Sequence, residues 1–218
     1  MRRRRTVSAL IRGGCAATLG AVLVGCTAAP EPTDSPVSTS EPTSSQAGTT
    51  TTAPPTTQPV SLPDNCGALL PVTDLDASLG TALPGSVSYV RGEPLPGIGR
   101  TDRITCGYGV AVGPDGRAQP PLLEISMASY TDEAAASDRV EDTTTDRQTA
   151  GDRVETTEVQ TLPAVLLSGV AATTLVFAEA NVTYSLTLLA AVLAPEQVPR
   201  GLVGVAEAVL EQAAAPTS

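Results

Sequence analysis

Apolar and polar side chains alternate strictly in two central stretches. Ile104, Cys106, Tyr108, Val110 and Val112 are separated by small or polar residues, and Leu123, Ile125 and Met127 are interleaved with Glu124, Ser126 and Ala128. A period of two marks a half-buried strand. Gly113-Pro114-Asp115-Gly116 between them has turn chemistry, so the pair reads as a hairpin. A second hairpin is predicted from residues 170–178 and 182–190 across Glu179-Ala180-Asn181. In its second arm Val182, Tyr184, Leu186 and Leu188 face one way and Thr183, Ser185 and Thr187 the other. Residues 162–167 form a further strand, and 151–161 leave room for a short one.

Elsewhere the period lengthens. Val198, Leu202, Val205 and Val209 recur at helical spacing, with Glu196, Arg200, Glu207 and Glu211 on other sides. Pro195 would open this helix where its missing N–H is harmless, and Gly201 and Gly204 weaken it by about 1 kcal/mol each relative to Ala. Thr131, followed by Asp132 and Glu133, predicts the capped start of a helix reaching roughly Arg147, weakened beyond Glu141 by Thr143-Thr144-Thr145. Thr73 caps a shorter predicted helix that ends near Gly80, with Asp74 and Asp76 at its positive end. Residues 81–100, rich in Gly and Pro, read as an irregular connection with an extended piece at 87–90. The order is helix, two strands, helix, three strands, helix. It predicts an α+β fold, a mainly antiparallel sheet with helices packed on one face.

The first 63 residues follow neither period. Arg2 to Arg5 and Arg12 precede an uncharged run from Gly13 to Gly25. That run is too short for the ~20 residues of a spanning helix and suits the apolar part of a signal peptide. It closes on Leu23-Val24-Gly25-Cys26, a lipobox: small residues before the cut and a thiol at the membrane surface. Residues 1–25 are therefore read as a signal peptide and Cys26 as the lipidated first residue of the mature chain. The alternatives are an ordinary signal peptide beside an incidental cysteine, or an uncleaved anchor. Two or more acyl chains hold a protein stably to a bilayer, so the reading needs no transmembrane helix. From Thr27 to Pro63 there are 10 Thr, 6 Ser and 8 Pro among 37 residues, too little to bury for a fold. Residues 26–63 thus read as a lipidated cysteine and a disordered tether. It would reach roughly 35 Å as a flexible coil and ~115 Å as polyproline II. Ser, Thr and Pro together are also the composition of O-glycosylated stalks.

Residues 64–218 remain as a single domain, long enough for a core. Its two cysteines, Cys66 and Cys106, are most simply a disulfide in an exported protein. The bridge would close a loop of about 40 residues, for which chain entropy gives roughly 4 kcal/mol. Net charge narrows the partners. The chain carries −10, with 13 Arg, no Lys and 23 acids, and loss of the leader makes it more acidic still. Nucleic acid and anionic lipid surfaces are disfavoured, since both need a basic footprint. The absence of His removes Ser-His-Asp and Cys-His nucleophiles and His metal ligands. No nucleophile elbow, phosphate loop or dinucleotide fingerprint is present, and no cofactor or metal is expected. Three carboxylate pairs, Asp74 with Asp76, Asp132 with Glu133 and Asp142 with Asp146, have the residue types for acid–base work or Ca²⁺. Helix capping and a solvated acidic face account for them better. Asn181-Val182-Thr183 matches a glycosylation sequon by chance, and Phe177 and Tyr184 suit a core or a pocket wall.

The arginine-rich leader, the lipobox and the Thr/Pro tether resemble actinobacterial cell-envelope lipoproteins. Cys66-Gly-Ala-Leu-Leu-Pro, Asp74-Leu75, Leu79-Gly80 and Cys106-Gly-Tyr108 are similar to a small cysteine-paired family of lipoproteins in mycobacteria and their relatives. Members often carry Trp near the second cysteine, where Tyr108 stands here. The family has no agreed catalytic residues, so the resemblance implies none. A more distant similarity to the extracellular sensor domains of mycobacterial kinases implies ligand sensing. The expected function is a non-enzymatic binding or sensing domain on the outer face of the cytoplasmic membrane. It would be anchored through Cys26, with an envelope protein, lipid or cell-wall ligand as partner. A structural or assembly factor is the alternative, and a carboxylate-only enzyme ranks third.

Overall fold

The computed structural model describes residues 61–214. The signal peptide, Cys26 and nearly all of the expected tether lie outside the described residues. Two short helices, α1 (Cys66–Leu69) and α2 (Val72–Leu79), lead into β1 (Ser86–Gly92), a 3₁₀ turn at Pro96–Ile98, β2 (Arg100–Val110) and β3 (Leu123–Tyr130). Then come α3 (Glu133–Thr149), β4 (Arg153–Val159), β5 (Leu162–Ser168), β6 (Ala172–Glu179), β7 (Val182–Leu189) and α4 (Val198–Ala214). The strands form one seven-stranded sheet in the order β1-β2-β3-β7-β6-β5-β4. Every neighbouring pair is antiparallel. The fold is α+β. A three-stranded meander ends at β3, α3 carries the chain to the far edge, and a four-stranded meander returns until β7 pairs with β3.

Register assigns each side chain to a face. Met127 pairs with Ile104 and Tyr184, and Tyr184 with Phe177. These residues, with Cys106, Ile125, Leu186, Leu175 and Leu166, form one apolar face. It is covered by α1, α2 and α4, whose Val198, Leu202, Val205 and Val209 are buried in the same core. Burial of such side chains contributes roughly 1.5–3 kcal/mol each, so this layer dominates the stability. α3 lies on the opposite face, where Ala136 packs with Ala128 and Tyr130. It is the sole helix on that side among the described residues.

Cys66 and Cys106 are joined, with Cα atoms 5.6 Å apart, tying α1 to β2. Tyr108, two residues along the same strand, reinforces the tie. Its buried hydroxyl lies 3.1 Å from the Cys66 carbonyl and 3.0 Å from that of Leu70, and donates to them. The Leu70 carbonyl lies just past the end of α1, where helices leave acceptors unsatisfied, while the Cys66 carbonyl also accepts from the Leu70 N–H. Burial raises the Tyr108 pKa to about 12.

Several boundaries differ from expectation. Leu62, placed by sequence in the tether, is buried in the main core, so the domain starts slightly earlier. Asn65 caps an unexpected α1 by accepting from the Ala68 N–H. Pro71 rather than Thr73 stands at the start of α2, and Asp132 rather than Thr131 caps α3, accepting from the Ala135 N–H at 2.8 Å. α4 begins at Val198; Pro195 instead lies in a turn closed by the Gln197 N–H donating to the Ala194 carbonyl. The threonine run does not end α3, because Thr143 and Thr144 hydroxyls donate back to the carbonyls of Arg139 and Val140 at 2.8 Å and so face no competing partner.

Candidate functional site

A β-bulge sets the chemistry of the face under α3. Arg100 and Arg103 are three positions apart, an odd spacing that in a regular strand sends side chains to opposite faces. β2, however, carries one more residue than β3 between the pairs Arg100–Tyr130 and Asp102–Ser129. The extra residue resets the alternation. Arg100 then opposes Tyr130 and Arg103 opposes Ala128, two β3 residues that share a face. Asp102, the nearest acid in sequence, falls on the other side of the strand, where it pairs with Arg91 of β1.

α3 supplies the opposite wall. Ala136, Arg139, Val140 and Thr143 follow one another at helical spacing, and α3 buries no other side chain fully than that of Ala136. A helix with so little apolar stripe cannot close tightly on a sheet. It leaves a cleft of about 230 Å³ lined by Arg100, Arg103, Arg139, Tyr130 and hydroxyls of Ser126, Thr143, Thr183 and Ser185. The helix is held by its Asp132 cap, by the Thr131 N–H donating to the Gly99 carbonyl, and by Arg147 against Asp152 at 2.7 Å, an ion pair not aligned as a hydrogen bond.

Among the described residues the three arginines have no carboxylate partner. Among the described residues Arg91, Arg117, Arg147 and Arg153 are ion-paired, whereas Arg100, Arg103, Arg139 and Arg200 are not. Three of those four converge on this cleft. Glu124 also borders it but pairs with none of them. Arg100 donates from Nη2 to the Glu93 carbonyl at 2.9 Å. The Nε atoms of Arg100 and Arg103 are buried with no acceptor among the described residues. Burial, then the positive charges of Arg103 and Arg139, lower the pKa of Arg100, though a guanidinium stays charged at any ordinary pH. Gly92, opposite Arg103 on β1, makes room for that side chain: a Cβ there would lie 2.7 Å from Arg103 Nε.

The residues singled out from sequence are placed elsewhere. Cys66 and Cys106 form the structural bridge; Cys26 lies outside the described residues. Asp74 accepts from the Gln212 side chain of α4 at 3.1 Å, and Asp132 is the α3 cap. Asp74 and Asp76 thus lie on α2, whereas Asp132 with Glu133 and Asp142 with Asp146 lie at the start and in the second half of α3. Asn181 is buried and donates from Nδ2 to the Tyr130 carbonyl at 2.8 Å, which occupies the nitrogen a glycan would need. The rings of Phe177 and Tyr184 stack at 4.7 Å within the core. Among the described residues no three of Cys, Asp and Glu gather closely enough to hold a metal ion, and no helix is long and apolar enough to cross a membrane. The arginine cluster was missed because its signal is the bulge, which no residue pattern in β2 announces.

No family model matches the chain, and neither does any curated protein. Among solved structures it is similar to the extracellular domain of PknH from Mycobacterium tuberculosis, with a TM-score of 0.43 and 11% identity, over 69% of this chain and 97% of that one.

Proposed function

We propose that the chain is a lipid-anchored, extracytoplasmic binding domain that takes a ligand without turning it over. The observation that carries the binding half is the cleft under α3. Its walls present the guanidinium groups of Arg100 and Arg103, whose Nε atoms are buried without an acceptor among the described residues, and buried polar groups left unpaired cost about 1–3 kcal/mol each. Such groups are economically explained by a ligand that pairs with them. The anchoring half rests on the lipobox Leu23 to Cys26 and the Thr/Pro tether. The disulfide is consistent with export. For anchoring, Cys26→Ala should release the protein from membranes. For binding, native mass spectrometry of the protein isolated from its host without denaturant should reveal a non-covalent mass adduct. Protein that always emerges free of any adduct would contradict the binding reading.

One feature favours a second reading, a structural or assembly factor. Among the described residues β1 is an unpaired sheet edge whose Val87, Tyr89 and Val90 are exposed, and such an edge is a template for pairing with another chain.

A further inference from the structure

Every polar group facing the cleft that can be assigned a charge, apart from Glu124, is positive. This is unusual in a chain with 23 acids and 13 Arg. Convergence of three like charges is unfavourable unless something negative is shared among them. Among the described residues nothing plays that part: Asp102 is turned to the other face by the bulge and occupied by Arg91, and Glu124 forms no ion pair. The guanidinium fork matches carboxylate and phosphate oxygens in two-point hydrogen bonds. Ser126, Thr143, Thr183 and Ser185 add four hydroxyl-bearing residues to the lining, with Ala128, Val140 and Val176 as its apolar part. The volume of about 230 Å³ is below the ~300–1,000 Å³ of pockets for drug-sized ligands.

From this geometry we propose, on the strength of the binding reading above, that the cleft receives a small oxyanion carried on a hydroxylated body, of the size of a monosaccharide phosphate or sugar acid. Arg100, Arg103 and Arg139 hold the oxyanion, and the hydroxyl-bearing walls hold the body. The fixed parts are Arg100, anchored by the Glu93 carbonyl, and Arg103, seated over Gly92. Arg139 approaches from α3, so the ligand bridges helix and sheet where apolar packing is thinnest.

Isothermal titration calorimetry of the full chain tests this with four probes: inorganic phosphate, glucose 6-phosphate, glucuronate and glucose. Glucose 6-phosphate or glucuronate should bind at least tenfold more tightly than glucose, and the preferred one identifies the oxyanion as phosphate or carboxylate. Arg103→Gln and Arg139→Gln should each weaken that binding at least tenfold while the thermal midpoint is held or raised. Gly92→Val, which displaces the Arg103 guanidinium and keeps its charge, should weaken it as well. Two outcomes overturn the proposal: no oxyanion binds, or glucose binds equally and both arginine variants leave affinity unchanged. Should Arg103→Gln disturb folding, Arg139→Gln, on the partly exposed side of the cleft, decides alone. A native-mass adduct retained unchanged by both variants would leave the binding reading standing while removing the oxyanion.

Discussion

The two faces of the sheet are built from the same strands and do different work. On one face, Ile125, Met127, Tyr184, Leu186 and Phe177 meet the buried stripe of α4, and a disulfide pins α1 beneath them. On the other face, the residues between those positions are Ser126, Ala128, Thr183 and Ser185, under a helix whose fully buried contribution is Ala136. The difference follows from alternation: β3 and β7 contribute large apolar side chains to one side and mainly small or hydroxylic ones to the other, with Val176 of β6 added on the α3 side. The apolar face sets the fold. The hydroxylic face is spared that task, and it is there that unpaired guanidinium groups are tolerated.

If the division is correct, truncations on the two faces should differ sharply. Leu202→Ala, at a fully buried position, should lower unfolding stability by about 2–5 kcal/mol. Val140→Ala on α3, which is only partly buried, should cost about 1 kcal/mol or less. Paired denaturant titrations check this, and equal losses would erase the distinction. Reduction of the Cys66–Cys106 bridge should cost about 2–4 kcal/mol, seen as a lower thermal midpoint under reductant. Tyr108→Phe removes the side-chain donor of the Leu70 carbonyl, leaving the Cys66 carbonyl its bond from the Leu70 N–H, and should cost about 1–2 kcal/mol; intact stability would mean water replaces the hydroxyl.

The smallest effect concerns Asp102. Burial pushes its pKa up, but hydrogen bonds from the Arg91 side chain and the Arg103 N–H outweigh this, and the net shift is below the ordinary 3.8. A carboxylate depressed in the folded state stabilises above its unfolded pKa, and that contribution is lost as pH falls through the folded value. The pair is partly exposed, so it contributes about 1 kcal/mol or less. The stability gap between the parent and Asp102→Asn should be constant above about pH 5 and narrow below about pH 4. A gap that does not change with pH would show that the pair contributes nothing.

Legibility in the sequence followed physical scale. Strands with clean alternation, such as Val182 to Leu188, were readable because burial on one face enforces period two. β4 was scarcely readable because Arg153, Glu155 and Glu158 keep this edge strand polar, as edges often are. The disulfide followed from there being one pair of cysteines behind the leader. That α3 occupies the second face could not be read from its own sequence, since a nearly stripe-less helix does not declare which surface it meets. The cleft was least legible of all. Arg100 and Arg139 are 39 positions apart, and a one-residue bulge decides whether Arg100 joins Arg103.

The proposal assigns folding to one face of the sheet and binding to the other. Amide chemical-shift mapping of the full chain during titration with glucose 6-phosphate tests it most directly. The predicted result is a set of saturable shifts at Arg103, Ser126, Ala128, Thr183, Ser185 and the α3 turn from Arg139 to Thr143, with α1, α2 and α4 unmoved. Shifts centred on the apolar face, or none at any residue up to saturating ligand, would contradict it.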